Sequence, residues 1–149
     1  MQIKDIMTKE VIKASPDATV QEVAKLLEKH RINGVPVVDE ENRVVGIVTA
    51  RGLVSLYLPS YLNLLDRLFH LLDYDQFEAK AQEMAQTPVK DVMEEDVVCV
   101  EGKISVVEAA AIMVDQHIRQ APVIEDGYLV GIVTKSDIVK ALAKYNINF

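Results

Sequence analysis

The residues best suited to chemistry are a hydroxyl and a carboxylate three positions apart, Thr134 and Asp137. A carboxylate accepts hydrogen bonds from both vicinal hydroxyls of a ribose, as an acidic residue does in dinucleotide-binding folds. A threonine at the turn into a helix lies beside amides that point out of the helix start, where anions are favoured. This spacing therefore predicts contact with a ribose and a phosphate.

The same spacing has a second interpretation, which is purely structural. Thr134 as the N-cap and Asp137 in the first turn would satisfy each other's backbone amides. The cations that could meet a phosphate are Lys135, His30 and Arg31, and each one alone is more typical of a solvated surface charge. The residue types alone leave ligand contact and helix capping open.

Catalytic machinery is not expected. The histidines His30, His70 and His117 form no metal-ligand pattern with cysteines or carboxylates, and no glycine-rich phosphate loop is present. Cys99 lies in an apolar run without an obvious base, which is typical of a core strand. We therefore predict no catalytic residue, no metal and no required cofactor.

The composition indicates one globular unit in the cytoplasm. The chain has 149 residues, 50% of them hydrophobic, and a net charge of −7, which disfavours nucleic acid as a partner. It has one cysteine and no apolar signal sequence at its start, and the Leu53 to Leu72 stretch is interrupted by charged residues. No disulfide and no membrane crossing are expected.

The elements that must position these residues occur twice. Met7 through Thr49 is repeated as Met93 through Thr134, and the second copy lacks one residue in the loop after Asp39. Repeated units usually bury their apolar faces against one another, so two copies imply a pseudo-twofold pair. The predicted order within each copy is β-α-β-β-α, an α/β fold.

Local signals place these elements. Thr19 with Glu22, and Ser105 with Glu108, match the capping box at the start of a helix. Asn33-Gly34 is predicted to end the first helix, and Asp126-Gly127 suits a tight hairpin turn. The other predictions are first strands at 11–14 and 97–100, final helices near 51–56 and 136–144, and apolar helix faces formed by Val20, Val23, Ala24 and Leu27 and by Val106, Ala109, Ala110 and Met113.

Three segments follow from this organisation: a first repeat at 1–57, a helical insert at 58–86 and a second repeat at 87–149. Within the insert Leu62, Leu65, Phe69 and Leu72 share one helical face. This face would pack on the repeats or across a subunit interface. A lid over a ligand is the other interpretation.

The recurring motifs resemble those of the CBS domain, and two in tandem resemble a Bateman module of the stand-alone bacterial or archaeal type. The motifs are Asp5-Ile6-Met7 with Asp91-Val92-Met93, Val35-Pro36-Val37 with Ala121-Pro122-Val123, and the two Gly-Ile-Val-Thr segments that end at Thr49 and Thr134. The resemblance implies a pair of small sheets backed by helices. It also implies a cleft for an adenosine nucleotide, AMP, ADP or ATP.

By this resemblance, the cleft that contains Asp137 is completed by the first repeat, with apolar walls for an adenine. The ligand-binding residues it implies are Thr134, Asp137, Lys135, Thr8, Val11, Ile12, Asn33, Gly34 and Val35. The first copy has Gly52 where the second has Asp137, so its own cleft would be empty, weak or suited to another anion. That weaker second site would comprise Thr49, Arg51, Glu94, Val98, Arg119, Gln120 and Ala121.

The predicted function is therefore a regulatory module that binds an adenosine nucleotide, changes conformation and acts on an unknown effector protein. The alternative is a ligand-free dimeric scaffold that recruits a partner protein through its Leu-rich insert. A homodimer is expected in both cases, because apolar surface on the Leu53 to Leu72 stretch would otherwise remain uncovered.

Overall fold

The computed structural model describes residues 1–56 and 74–145, which contain two similarly built α/β repeats. The first repeat has α1 (Val20–His30), β1 (Gly34–Val38), β2 (Val44–Thr49) and α2 (Ala50–Leu56). The helix α3 (Tyr74–Ala85) lies beside α1. The second repeat has β3 (Val100–Glu101), α4 (Val106–Asp115), β4 (Gln120–Glu125), β5 (Tyr128–Thr134) and α5 (Lys135–Tyr145).

The predicted helix starts are confirmed. The hydroxyl oxygen Oγ1 of Thr19 accepts from the Glu22 amide at 3.2 Å, and Glu22 Oε2 accepts from the Thr19 amide at 3.1 Å. Ser105 Oγ accepts from the Glu108 amide at 3.0 Å. These bonds satisfy amides that have no partner within the helix.

The predicted end of the first helix is wrong. Helix α1 ends at His30, and Arg31 adopts the left-handed conformation (φ 52°) that commonly terminates helices. Gly34 is instead the first residue of β1. The predicted apolar face is also narrower, because Ala24 is exposed while Val20, Val23 and Leu27 are buried.

Each repeat is built on an antiparallel hairpin. Strand β1 pairs with β2, and β4 pairs with β5. In the second hairpin Gln120 lies opposite Thr134. Asp126 (φ 53°) and Gly127 (φ 86°) both have the positive φ that a tight two-residue turn of this twist requires, as predicted. The first hairpin has the longer loop, and Asn42 (φ 65°) takes the left-handed conformation there.

The predicted first strands are mostly absent. In the first repeat only Ala14 bridges β1, through bonds to the Pro36 carbonyl and from the Val38 amide, and in the second the strand is reduced to β3. The next bond of each parallel ladder would need an amide from Pro36 or Pro122, and proline has none. Residues before Ala14 are therefore released from the sheet.

Each repeat has its own buried core, and the other repeat contributes to it. Ile3 is fully buried in the core of the second repeat, and Val89 is fully buried in the core of the first. Both residues lie in short 3-10 turns, Ile3–Asp5 and Val89–Asp91, which the sequence did not predict. The two cores therefore depend on each other.

Methionines join the two repeats across the pseudo-twofold. The Met7 side chain lies over Gly131, and the Met93 side chain lies over Gly46. A Cβ atom on either glycine would collide with the methionine sulfur, so each methionine keeps this position only over a glycine. This contact explains why the Met and Gly motifs recur together.

The longer loop of the first hairpin makes a second junction. The Leu129 amide donates to the Asn42 carbonyl at 3.0 Å, and Asn42 Nδ2 donates to the Leu129 carbonyl at 2.9 Å. Lys13 Nζ donates to Asn42 Oδ1 at 2.8 Å, and the Arg43 guanidinium lies 5.5 Å from the centre of the Tyr128 ring. Asn42 thus links the two hairpins directly.

Part of the predicted insert lies outside the described residues. This applies to the face formed by Leu62, Leu65, Phe69 and Leu72, whereas α3 covers residues near the end of the 58–86 segment. In the parts of the chain that the structure does describe, no helix has the length and hydropathy needed to cross a membrane.

Candidate ligand-binding site

A cavity of about 520 Å³ lies between the two repeats. This volume is within the range of pockets that hold small molecules and cofactors. The first repeat contributes Thr8, Glu10, Val11, Ile12, Arg31, Ile32, Asn33 and Gly34, and the second contributes Arg119, Gln120, Ile132, Thr134, Lys135, Ser136, Asp137 and Lys140.

Thr134 and Asp137 form the cap that the structural interpretation predicts, and both also line the cavity. Asp137 Oδ2 accepts from the Thr134 amide at 2.9 Å, and Thr134 Oγ1 accepts from the Asp137 amide at 3.1 Å. No described residue donates to the other carboxylate oxygen, Oδ1. Capping and ligand contact are therefore compatible, because the cap uses only one of the two oxygens.

The start of the first repeat forms the apolar wall. The Thr8 amide and carbonyl each bond to Ile132 of β5 at 2.9 Å, which holds this segment against the second repeat. Val11 and Ile12 follow, half-buried and free of the sheet. Ile32 and Ile132 also line the cavity. They were not predicted from the sequence, although each lies next to a predicted segment. Together these side chains offer a surface suited to a flat base.

The segment before β1 forms the next wall. The Asn33 carbonyl accepts from the Ala50 amide at 2.9 Å, which fixes the chain where Asn33 and Gly34 line the cavity. Val35 was predicted to bind ligand, but its side chain is fully buried in the core of the first repeat. His30 does not line the cavity either, whereas Arg31 does.

Arg119 and Gln120 were assigned by sequence to the other cleft, and the structure places them in this one. Gln120 pairs with Thr134 at the start of β4, and the Arg119 carbonyl accepts from the Lys135 amide at 3.0 Å. Packing explains why Gln120 lies here. Gly34 has no side chain, so the Gln120 side chain extends across the pseudo-twofold and lies over it.

The cavity has more positive than negative side chains. Its walls carry four cations, Arg31, Arg119, Lys135 and Lys140, against the carboxylates of Glu10 and Asp137. This excess contrasts with the net charge of −7 of the whole chain. A local excess of cations attracts an anionic ligand.

Besides Gln120, four polar or charged residues of the cavity were not predicted from the sequence or were assigned to the other cleft. Glu10 and Ser136 carried no signal beyond their position beside Val11 and Lys135. Lys140 lies three residues after Asp137 on α5, so the helical repeat would have placed it on the same face. Arg119 precedes β4 as Asn33 precedes β1. The symmetry of the two repeats therefore assigned Arg119 to the other cleft.

The equivalent position of the first repeat lacks the carboxylate. The Gly52 amide donates to Thr49 Oγ1 at 3.0 Å, just as the Asp137 amide donates to Thr134 Oγ1 in the second repeat. Thr49, Arg51, Val98 and Ala121 of the predicted weaker site do not line the cavity described above, and Ala121 is fully buried. The Glu94 backbone instead bonds to Ile47 of β2.

Other chemistry is poorly supported in the described residues. Burial raises the pKa of the Cys99 thiol, which favours the thiol over the nucleophilic thiolate, and Cys99 does not line the cavity. Among residues 1–56 and 74–145, no three His, Cys, Asp or Glu side chains are grouped to hold a metal ion.

These features define a class of protein: a pair of similar α/β repeats with a ligand-sized cavity between them. The profile of the CBS domain matches residues 3–58 and 89–144. The chain therefore belongs to the CBS domain family, as the sequence motifs predicted.

Comparison with known proteins agrees with this assignment. Protein MJ1426 of Methanocaldococcus jannaschii is 33% identical over 95% of this chain and 91% of its own length. Inosine-5'-monophosphate dehydrogenase of the same organism is 34% identical over 91% of this chain, which spans only 22% of that enzyme. The solved CBS domain pair of protein MJ0100, in complex with 5'-methylthioadenosine and S-adenosyl-L-methionine, is 28% identical (TM-score 0.71, covering 97% of this chain and 98% of that chain).

Proposed function

We propose that this chain is a regulatory module that binds an adenosine nucleotide, AMP, ADP or ATP, in the Asp137 cavity. The observation that carries the proposal is Asp137, which lines a cavity with apolar walls and surplus cations and whose Oδ1 has no donor among the described residues. A ribose, a base and a phosphate each have a partner of the right chemistry there. No bond is made or broken in this function.

Each part of the nucleotide is assigned to one wall. The ribose hydroxyls donate to Asp137 Oδ1, and the phosphate lies near Thr134 and Lys135 at the start of α5. The adenine lies among Val11, Ile12 and the backbone of the Asn33–Gly34 segment, where apolar contact does not compete with a charge.

Two facts support an adenosine ligand that carries phosphate. The related CBS pair of MJ0100 binds two adenosine compounds, which supports the adenosine part. One of these, S-adenosyl-L-methionine, carries a positive sulfonium, which the surplus cations of this cavity would repel. The charge balance therefore favours a nucleotide over a sulfonium compound.

The signal is relayed by the angle between the repeats. Because both repeats line the cavity, a nucleotide that fits one arrangement better shifts the population towards it. The recipients of the signal are a second copy of the chain, in a homodimer, and an effector protein of unknown identity.

A ligand panel tests the proposal. Isothermal titration of the purified chain with AMP, ADP, ATP and S-adenosyl-L-methionine should give saturable binding of at least one nucleotide and weaker binding of the sulfonium. Affinity should fall as salt is raised, since exposed ion pairs are screened. Absence of binding by all three nucleotides would contradict the proposal.

That negative result would favour the alternative, a ligand-free scaffold that recruits a partner through the 58–86 insert. The two functions also differ before any ligand is added. Native mass spectrometry of the freshly purified protein should show copurified nucleotide if the module is a sensor, and the bare chain mass if it is a scaffold.

A further inference from the structure

Gln120 is the only uncharged amide that the second repeat contributes to the described cavity. It begins β4, pairs with Thr134 through the backbone, and is half-buried. Its side chain therefore starts beside the predicted phosphate position and extends towards the opposite wall.

Gly34 makes this reach possible. The Gln120 amide occupies the space that a Cβ atom on residue 34 would fill, so any other residue there would displace it. Gly34 belongs to the wall assigned to the adenine. The amide is thus held next to the base rather than next to the phosphate.

The amide has no hydrogen-bond partner among residues 1–56 and 74–145. A glutamine amide has donor and acceptor groups side by side, and half-buried polar groups normally find partners. Adenine presents a matching pair, because its 6-amino group donates and the adjacent ring nitrogen accepts. The neighbouring wall is formed by Val11, Ile12 and Ile32. These apolar side chains can contact the base but cannot form hydrogen bonds with it.

We infer that Gln120 is a specificity-determining residue of this cavity: its Oε1 accepts from the 6-amino group of adenine while its amide nitrogen donates to the ring. Gly34 is the positioning residue that admits it. The inference rests on the proposed nucleotide function and extends it, since it names the group that distinguishes adenine from a purine without the amino group.

A cycle of two ligands and two proteins tests this role. AMP and purine riboside 5'-monophosphate, which lacks only the 6-amino group, are titrated into the wild-type chain and into Gln120→Leu. The wild type should bind AMP roughly three- to tenfold more tightly than the analogue, the value of one neutral hydrogen bond. Gln120→Leu should bind the two ligands equally well.

Two further variants separate this effect from general damage. Gln116→Leu makes the same change at an exposed position outside the cavity and should keep the preference for AMP. Gly34→Ala should lose the preference as Gln120→Leu does, because the added methyl displaces the amide. Thermal unfolding shows that each variant is folded.

The outcomes are distinguishable. Equal binding of AMP and the analogue by the wild type, or an unchanged preference in folded Gln120→Leu, would overturn the role of Gln120 and leave the nucleotide site intact. If the wild type binds neither ligand and no other adenosine nucleotide, the proposed function fails together with this inference.

Discussion

At the scale of residues, the decisive feature is that only one of the two Asp137 carboxylate oxygens has a donor among the described residues. Oδ2 is held by the Thr134 amide at 2.9 Å, which fixes the direction of the carboxylate. The same bond fixes the position of Oδ1, so a ligand that bonds to Oδ1 would cost the carboxylate little conformational entropy. The helix cap formed by Thr134 and Asp137 is therefore compatible with the predicted ligand contact, because it holds the carboxylate in place.

Substitution by asparagine should separate the two roles. In Asp137→Asn the amide oxygen can still accept from Thr134, while the amide nitrogen replaces the acceptor that the ribose needs. We expect about a 10- to 100-fold loss of nucleotide affinity by calorimetry, since charged hydrogen bonds contribute about 1.5 to 3 kcal/mol. The melting temperature should change little.

Asp137→Ala should lose the same affinity and also the cap, at about 0.5 to 2 kcal/mol of unfolding free energy. Asp115→Asn, at an exposed carboxylate outside the cavity, is the matched control. Unaltered affinity in folded Asp137→Asn would show that Oδ1 does not receive the ribose.

At the scale of elements, the sequence predicted what depends on neighbours along the chain. The Thr19 cap, the Asp126-Gly127 turn and the final helices were found within a residue of their positions. The first strands are shorter than predicted because Pro36 and Pro122, on the partner strands, lack the amides that a longer ladder requires. The sequence did not predict that Gln120 lines this cavity, because its position depends on the missing side chain of Gly34 in the other repeat.

The start of α2 gives a prediction at the same scale. Gly52 does not have a positive φ, and a Cβ there would meet only Thr49 Oγ1, at 3.1 Å. Gly52→Asp should therefore complete a capping pair like that of Thr134 and Asp137 and create the missing ribose acceptor. Calorimetry should detect a second bound nucleotide per chain.

Gly52→Ala is the control, because it adds a Cβ without a carboxylate. Both variants should raise the unfolding free energy by about 0.5 to 1 kcal/mol, the cost of glycine inside a helix. Only Gly52→Asp should alter the stoichiometry. Two equal sites in the unsubstituted chain would refute the claim that the aspartate determines occupancy.

At the scale of the whole molecule, exposed apolar side chains occupy equivalent places on the last helix of each repeat. Val54 on α2 is 61% exposed and Val139 on α5 is 62% exposed. The pseudo-twofold therefore presents the same kind of surface twice, which suits a symmetric contact with a second copy. We propose that these two helices form the homodimer interface.

Light scattering at micromolar concentration should give the mass of a dimer. The double variant Val54→Asp with Val139→Asp should give the mass of one chain, because charge at both positions opposes burial. Lys103→Asp changes an exposed side chain in a loop outside these helices and should remain dimeric. A wild-type mass of one chain would contradict the dimer.

The exchange of Ile3 and Val89 between the two cores has a consequence for how the chain can be divided. A chain cut within residues 58–86 would give two fragments, each with a core that lacks its buried contribution from the other. We therefore expect neither fragment to fold stably alone, because each carries the side chain that the core of the other lacks. The two fragments should instead complement each other when mixed, and circular dichroism of the mixture should show more helix than the sum of the separate fragments.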